Sequence, residues 1–435
     1  MLSVSPARPT SGCRPAATPA RVSPYRVTAL LWIACSAAGL AADPLPAEAS
    51  VQVKTVAGPL AGGTGGVAVD ALGFVYVADF GEKVWKISPE GEVEIFVDSL
   101  YGTSGNTIDA EGNLLQSNFF AGTVSKIARD GTVSTLASGL AGPVGLTVST
   151  DGRLYACNCK SNVVSRISPA GEVSDFSSGD LFNCPNGLTH DDGGNLYVVN
   201  FADGRLIAID AAGQGRLLAT IPGGGNGHVV WLRSELYVAA LRANRIFKVT
   251  ADGQVTWVAG SGDFGEQDGP AAAAAFSTPN GIAFHPTRDA LYVNDRLQTW
   301  GERWGGRTSP TTTVRELLFP TLEETTLAAF AAGGAVGARS ALSAYAAARP
   351  GRPYLFILNR FGYQLLQDRQ LEAATAVFEV NTELFPKASN TWDSLADAHK
   401  AAGHREQAIA CYRKSLALDP ANANAAAMLE ELGAE

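Results

Sequence analysis

The chain has 435 residues, of which 46% are hydrophobic, and this is enough to fill the cores of two or three domains. Its 33 Lys and Arg residues against 42 Asp and Glu residues give a formal net charge of -9. Because a nucleic-acid-binding protein needs a basic face or stripe, this acidic balance argues against a nucleic-acid partner.

Residues 1–49 have the order of an export signal. Arg8, Arg14, Arg21 and Arg26 precede the apolar run VTALLWIACSAAGLAA, and small residues follow up to Ala49. A membrane-spanning helix needs roughly 20 apolar residues, and this run is shorter, so the pattern favours a signal peptide cleaved near Ala49. An uncleaved anchor is the alternative, and it is the only membrane contact that the sequence suggests. We therefore expect an exported protein, either periplasmic or secreted.

The sequence from residue 50 to residue 320 contains six copies of one pattern. Each copy opens with a glycine and continues as a short apolar run, a turn such as Asp-Gly or Gly-Asn, and further short runs. Four such runs with turn residues between them predict a four-stranded antiparallel blade. A blade buries both faces only by stacking on copies of itself around an axis. The opening glycines are Gly66, Gly105, Gly145, Gly187, Gly227 and Gly281.

The sixth copy lacks a fourth strand, and the missing strand is found at the other end of the repeats. The segment VQVKTVAG, residues 51–58, is similar to the fourth runs VEIFVDS and VSTLASG but precedes the first copy. We predict that residues 51–57 pair with residues 311–318 in an antiparallel ladder, because this pairing closes the ring and removes its open edge. The sequence thus predicts an all-β six-bladed propeller over residues 50–320.

The sequence from residue 321 to residue 435 has a helical spacing of apolar residues and a 34-residue repeat. The repeat is carried by Trp392, Leu395, Ala408, Tyr412, Ser415 and Pro420, by Gly362, Ala374, Phe378 and Pro386, and more weakly by Ala341, Tyr345, Ala348 and Pro353. This pattern resembles a tetratricopeptide array of three helix pairs, with ANAAAMLEELGAE as a capping helix. We interpret Trp392 and Tyr412 as core residues. The resemblance implies an all-α domain whose concave groove binds a protein or peptide.

Several polar features converge on one face of the predicted propeller, which we call the top face. It is the face where first strands begin and second strands end, and the insertion GSGDFGEQDGPAAAAAFST is also expected there. A small-molecule or sugar-like ligand, or a partner, would suit such a polar mouth with a Trp/Arg loop. The alternatives are turn-forming Asx residues and a loop without function. The predicted ligand-binding residues are Asn186, Asn226, Asn280, Trp300, Arg303 and Trp304.

Two cysteines are expected on the same face. Cys159 ends the second strand of the third blade, and Cys184 precedes the first strand of the fourth. Since an exported protein meets an oxidising environment, we predict that they form a disulfide, with Cα atoms roughly 4.4 to 6.8 Å apart.

The propeller sequence is similar to a known superfamily. The motifs PNGIAF, LYVND and VAGSGDFGEQDGPAAAAAFSTPNG resemble those of NHL-repeat and gluconolactonase-like (regucalcin-like) six-bladed propellers. The resemblance implies calcium or another divalent ion on the axis, held by Glu, Asn, Asn and Asp in blades one, three, four and five. The matching residues here are Gly65, Val144, Asn186 and Asn226, of which only Asn186 is unchanged.

The candidate metal ligands are therefore Asn186 and Asn226, a weak set because calcium affinity follows the number of carboxylates. Asp79, Asp295 and Asn106 are further candidate ligands from nearby positions. The catalytic candidates are Asn226 and His228, although a lone histidine on a strand is often a core residue.

The sequence is consistent with two functions. The first is an exported binding protein, with a ligand or partner on the propeller and a peptide on the helical array. The second is a divalent-metal-dependent lactonase or ester hydrolase with a rebuilt site. Metal content and a lactone hydrolysis assay would separate them.

Overall fold

The structure is a computed structural model that describes residues 50–286, 288–297, 310–349 and 351–434. The predicted export signal in residues 1–49 lies outside these residues. Trp300, Arg303 and Trp304 of the predicted top-face loop also lie outside them.

The described residues between 52 and 318 form six antiparallel sheets, which follow one another around an axis as the blades of a propeller. The first strand, β1 (Gln52–Ala61), belongs to the last blade. Each of the first five blades uses four consecutive strands. Blade one contains β2 (Val67–Val69), β3 (Val75–Ala78), β4 (Val84–Ile87) and β5 (Val93–Val97). Blade two contains β6 (Thr103–Ile108), β7 (Leu114–Asn118), β8 (Thr123–Ile127) and β9 (Val133–Ala137).

The next blades repeat this order. Blade three contains β10 (Pro143–Val148), β11 (Leu154–Asn158), β12 (Val163–Ile167) and β13 (Val173–Ser178). Blade four contains β14 (Pro185–His190), β15 (Leu196–Asn200), β16 (Arg205–Ile209) and β17 (Gly215–Thr220). Blade five contains β18 (Asn226–Leu232), β19 (Glu235–Ala240), β20 (Arg245–Thr250) and β21 (Val255–Ala259). Blade six contains β22 (Gly269–Pro270), β23 (Ile282–Phe284), β24 (Ala290–Leu297), β25 (Thr311–Leu318) and β1.

Blade six is closed by the first strand of the described chain, as the sequence predicts. β1 pairs antiparallel with β25, with Val53 opposite Leu317 and Thr55 opposite Arg315. The predicted six-bladed propeller is confirmed.

The insertion between blades five and six differs from the prediction. Part of it, β22, pairs with the outer side of β1 instead of contributing only to the top face. Asp268 fixes this part by accepting the backbone N–H of Thr55 at 2.9 Å and by pairing with the buried Arg315 at 2.7 Å. The insertion thus covers an edge strand that would otherwise expose unpaired backbone groups.

The hydrophobic core of the propeller is divided among the blade junctions. In the described ranges, each pair of neighbouring blades shares its own buried apolar cluster. Between blades four and five, for example, Val199 and Leu206 pack in one cluster with Val229 and Val238. Alternating strand residues thus reach the two flanking junctions, which explains the period-2 pattern of the sequence.

The opening glycines form a collar around the axis. A Cβ atom at Gly105 would lie 2.2 Å from the carbonyl oxygen of Val144 and 2.8 Å from the Cα of Gly145 in the next blade. At Gly145 it would lie 2.3 Å from the carbonyl oxygen of Asn186. Only glycine permits such close approach of the innermost strands. We call Gly66, Gly105, Gly145, Gly187, Gly227 and Gly281 the glycine collar.

The C-terminal region is helical, as predicted. Its helices are α1 (Leu322–Ala347), α2 (Tyr354–Gln367), α3 (Leu371–Leu384), α4 (Ser389–Ala401), α5 (Arg405–Leu418) and α6 (Ala423–Glu431). Tyr412 is fully buried, while Trp392 is partly buried against the same core. A Cβ atom at Gly362 would lie 2.5 Å from the Phe378 ring, so this glycine allows α2 and α3 to approach closely.

Helix α1 is long and apolar enough to cross a membrane by length and composition alone. Its backbone, however, leaves the helical conformation at Gly333 and Gly334. A Cβ atom at Gly337 would lie 2.5 Å from the carbonyl oxygen of Ala329, so the two halves fold back against each other. Each half is too short for a span of roughly 20 residues.

The partly buried carboxylate of Asp289 joins the propeller to the helical region. Asp289, between β23 and β24, accepts the Tyr345 hydroxyl at 2.7 Å and pairs with Arg233 at 2.6 Å and Arg349 at 3.2 Å. Burial acts to raise the pKa of Asp289, but the Tyr345 hydrogen bond and the two arginine charges outweigh it and hold the pKa below its usual value. We call these four residues the Asp289 junction.

Candidate functional site

Two of the three predicted top-face asparagines are used to link neighbouring blades. The side-chain amide of Asn186 donates to the carbonyl oxygens of Asn226 at 3.1 Å and Gly227 at 2.8 Å. Asn280 repeats this arrangement toward blade one, with carbonyl oxygens of Thr64 at 2.9 Å and Gly65 at 3.1 Å. The amide donors of both residues therefore hold the inner strands together above the glycine collar.

Asn226 is the exception in this row. Its side chain is fully buried, and neither its Nδ2 nor its Oδ1 atom has a hydrogen-bond partner within the described ranges. Asn226 therefore does not link blades through its side chain as Asn186 and Asn280 do, and its burial keeps its amide away from the surface of the top face.

The residues at the implied metal position are a poor fit to a calcium ion. Gly65 and Val144 bring no side-chain oxygen, and Asn186 and Asn226 bring only neutral amides. Among the residues that the structure describes, no group of three or more His, Cys, Asp or Glu side chains could hold a metal ion. Because calcium is held mainly by charged oxygens, we derive no step of a reaction through it.

The nearby carboxylates do not repair this set, because both are engaged elsewhere. Asp79 accepts the backbone N–H groups of Gly81 at 2.7 Å and Lys83 at 3.0 Å. Asp295 is fully buried and accepts the backbone N–H of Ser277 with both oxygens, at 2.7 and 2.8 Å. Both side chains are thus occupied by backbone N–H groups of their own blades.

His228 lies just past the collar from the asparagine row and lines a chamber on the axis. Burial lowers its pKa to about 4, so the ring is neutral near pH 7. This pKa does not suit a general base that must be poised near neutral pH.

The main feature that the sequence analysis did not identify is a group of exposed aromatic rings on the top face. Phe80 follows Asp79, which comes directly after β3, and Phe119 follows Asn118, which ends β7; Phe120 and Tyr101 lie beside them. Ring centroids are 5.6 Å apart for Phe80 and Phe119, 5.7 Å for Phe80 and Phe120, and 5.3 Å for Tyr101 and Phe120. The repeated Asx-Phe pairs at 79–80, 118–119 and 200–201 are the signal that would have found them.

This top-face aromatic cluster is exposed and faces a cation. Phe80, Tyr101 and Phe120 are 38%, 61% and 49% exposed. The Lys160 ammonium lies 4.6 Å from the Phe119 ring centroid, a cation–π distance. Gly102 has a positive φ of 80°, and a Cβ atom there would lie 2.6 Å from the Phe120 ring, so glycine makes room for this ring. The result is an apolar platform with a positive charge at its rim.

The predicted cysteine pair includes Cys159, the residue before Lys160 in the chain. In the structure Cys159 and Cys184 form a disulfide between blades three and four, and their Cα atoms are 3.9 Å apart. That separation is shorter than the expected range. Cys157 and Cys411 are free and buried, and burial raises the pKa of both thiols.

The helical region carries a polar face on α2, α4 and α6. The Tyr363 hydroxyl donates to Asp397 at 2.6 Å, and the Asn424 amide donates to Asp393 at 2.9 Å. The Oδ1 atom of Asp393 is buried without a partner in the described part of the chain. Burial raises the pKa of Asp393, and the charge of Asp397 adds to this. We call Asn359, Tyr363, Asp393, Asp397 and Asn424 the helical polar face.

Solved structures with the same propeller fold are known. The chain is similar to an auxiliary nutrient binding protein from Bacteroides thetaiotaomicron, with 14% identity, a TM-score of 0.51, and coverage of 61% of this chain and 76% of the other. It is also similar to a gluconolactonase from Xanthomonas campestris, with 19% identity, a TM-score of 0.49, and coverage of 62% and 90%. A third similar structure is virginiamycin B lyase from Staphylococcus aureus, with 15% identity, a TM-score of 0.43, and coverage of 59% of this chain and 80% of the other.

At such low identities the likeness shows the fold alone. No protein-family model matches the chain, and no curated protein matches its sequence. Fold and site together define a six-bladed β-propeller protein with a C-terminal helical region.

Proposed function

We propose that this is an exported binding protein whose propeller binds a sugar-like small molecule on its top face. The observation that carries the proposal is the top-face aromatic cluster. Exposed aromatic rings are unfavourable in water, and contiguous exposed apolar patches mark interaction sites. Aromatic faces suit the C–H face of a sugar ring, while the Lys160 ammonium beside Phe119 suits its hydroxyl oxygens.

The test is a panel of soluble oligosaccharides and sugar lactones, with binding measured by calorimetry. Tyr101→Ala and Phe120→Ala should each weaken binding about two- to tenfold, as expected for loss of an aromatic contact of ~0.5–1.5 kcal/mol. Leu72→Ala is the matched control, because Leu72 is 69% exposed in the turn at the opposite end of blade one. Equal affinity of all three variants for a bound sugar would refute the top-face site.

For the helical region we propose a tetratricopeptide-type array that binds a peptide with basic side chains. Supporting this are the antiparallel pairs α2–α3 and α4–α5, the close approach at Gly362, and the carboxylates of Asp393 and Asp397 on one face. A Lys/Arg-rich labelled peptide should bind more tightly than a Glu-rich one of equal length. Asp393→Asn should reduce that preference, and a preference that is unchanged would refute the assignment.

The export proposal and the lactonase alternative have separate tests. Export with cleavage near Ala49 predicts a mature protein that begins close to Ser50, which N-terminal sequencing of the secreted or periplasmic material checks. Lactonase activity is tested by lactone hydrolysis after dialysis against a chelator and after readdition of calcium. Metal-dependent turnover would favour the alternative over the binding protein.

A further inference from the structure

The chamber that His228 lines lies on the propeller axis, on the far side of the glycine collar from Asn186, Asn226 and Asn280. It has a volume of about 390 Å³, within the range of small-molecule sites. The first strands of all six blades line it, and every lining residue follows the opening glycine of its blade. The chamber is therefore separate from the proposed top-face site.

The repeat supplies an internal comparison for this chamber. Every blade has one residue directly after its opening glycine, and in four blades it is aliphatic and packs in a core between blades. In blades two and five it is polar. Because these blades are three apart in a ring of six, the two polar residues stand on opposite sides of the axis. The six residues are Val67, Asn106, Leu146, Leu188, His228 and Ile282.

Both polar residues lack partners in the described ranges. Asn106 is 8% exposed, and neither its Nδ2 nor its Oδ1 atom makes a hydrogen bond. His228 is also 8% exposed, and its Nε2 atom makes none. A buried polar atom without a partner destabilises the fold, and an aliphatic residue fits this position in the other blades. Local choices of this kind that lower stability are typical of functional sites.

The other polar groups of the chamber are mostly neutral as well. His190 contacts the Thr147 hydroxyl at 2.9 Å, and burial lowers the pKa of His190 although the nearby Asp191 and Asp192 act to raise it. Asp192 is exposed and remains in contact with water. Amide and neutral imidazole groups offer both donors and acceptors, which match hydroxyl groups, whereas a charged ligand would lose hydration without gaining a buried counter-charge.

The chamber also has an apolar wall and an opening. Trp231 is half-buried at the end of the first strand of blade five and stacks on Tyr197 with centroids 5.6 Å apart. Ile108 and Phe284 are half-buried at the corresponding strand ends, so the chamber opens at the face opposite the top face.

We propose that this axial chamber binds a small neutral polyol, a sugar alcohol or monosaccharide, between Asn106 and His228. Its hydroxyl groups satisfy the three unpaired atoms, and its carbon skeleton lies against the aliphatic lining. This site is independent of the proposed top-face function.

The experiment titrates the full chain with glycerol, erythritol, myo-inositol and glucose, and with gluconate as the charged comparison, by calorimetry or saturation-transfer NMR. We expect one neutral polyol to bind and gluconate to bind at least tenfold more weakly. Asn106→Leu and His228→Leu, which install the residue type of the other blades, should each weaken polyol binding about tenfold or more and raise the melting temperature.

Asp175→Ala is the control, because Asp175 is exposed on the outer strand of blade three and belongs to neither proposed site, so this variant should leave polyol binding unchanged. The titration of the wild-type chain still tests the proposal even where a leucine variant does not fold. If no polyol binds the wild-type chain, the chamber holds water alone and the proposal fails. It fails equally if a polyol binds and both leucine variants keep full affinity, or if Tyr101→Ala alone removes the binding.

Discussion

Replacing Asp289 by alanine should separate the helical region from the propeller. The Asp289 side chain is 11% exposed, and it neutralises Arg233 and Arg349, whose side chains are 8% and 11% exposed. Removing one partner of a buried ion pair leaves an uncompensated charge and costs about 3–5 kcal/mol. Arg352 also reaches Asp289 at 3.2 Å, but its side chain is 38% exposed and adds little.

The lowered pKa of Asp289 sets the sign of the pH dependence. The carboxylate contributes its stability fully above its ordinary pKa of 3.8, and this contribution is lost as the pH falls through the lower folded-state value. Tyr345→Phe removes only a hydrogen bond to this charged group and should cost about 1.5–3 kcal/mol.

The assay is urea unfolding of the two variants beside the exposed control Asp175→Ala, with limited proteolysis near Thr321. We expect the Asp289→Ala chain to unfold in two separate transitions and to be cleaved faster between the propeller and α1. A free energy of unfolding within about 0.5 kcal/mol of wild type, the usual range for neutral surface changes, would refute this account of the junction.

Four further predictions concern the propeller. Gly145→Ala should lower the free energy of unfolding in urea by about 1–3 kcal/mol or more, since its Cβ atom would lie 2.3 Å from a backbone oxygen. Unchanged stability would refute the requirement for glycine in the glycine collar. Asn186→Ala should cost about 1–3 kcal/mol without altering sugar binding, and a selective loss of affinity would instead make Asn186 a ligand residue. Burial raises the pKa of Asp295 to about 7, although the backbone N–H of Ser277 and the charge of Arg315 act to lower it, so ionisation of this carboxyl destabilises the fold as the pH rises from about 4 to about 7; Asp295→Asn should flatten the dependence of the melting temperature on pH in this range. Reducing the Cys159–Cys184 bond, which spans 25 residues, should lower the free energy of unfolding by roughly 3–4 kcal/mol. The bond would be excluded if free-thiol titration of the oxidised protein found both Cys159 and Cys184 reactive.

The repeats and the propeller that they build were predictable from the amino-acid sequence alone. Opening glycines and alternating apolar runs recur in each blade, and both patterns are local, so they predict strands, turns and the stacking of blades. The pairing of β1 with β25 was also predictable, because the sixth repeat lacks a fourth strand and residues 51–58 form a strand-like segment before the first repeat.

The role of each polar side chain, by contrast, depends on the tertiary structure. Asn186, Asn226 and Asn280 occupy equivalent repeat positions, yet two donate across a blade junction and one has no partner in the described ranges, because the outcome depends on the neighbouring blade's backbone. The aromatic cluster joins rings from two blades that are distant in sequence, and the fold-back of α1 depends on the backbone at Gly333 and Gly334. Repeat spacing fixes which positions are equivalent, whereas hydrogen bonding and burial depend on atoms that other segments bring within a few ångströms.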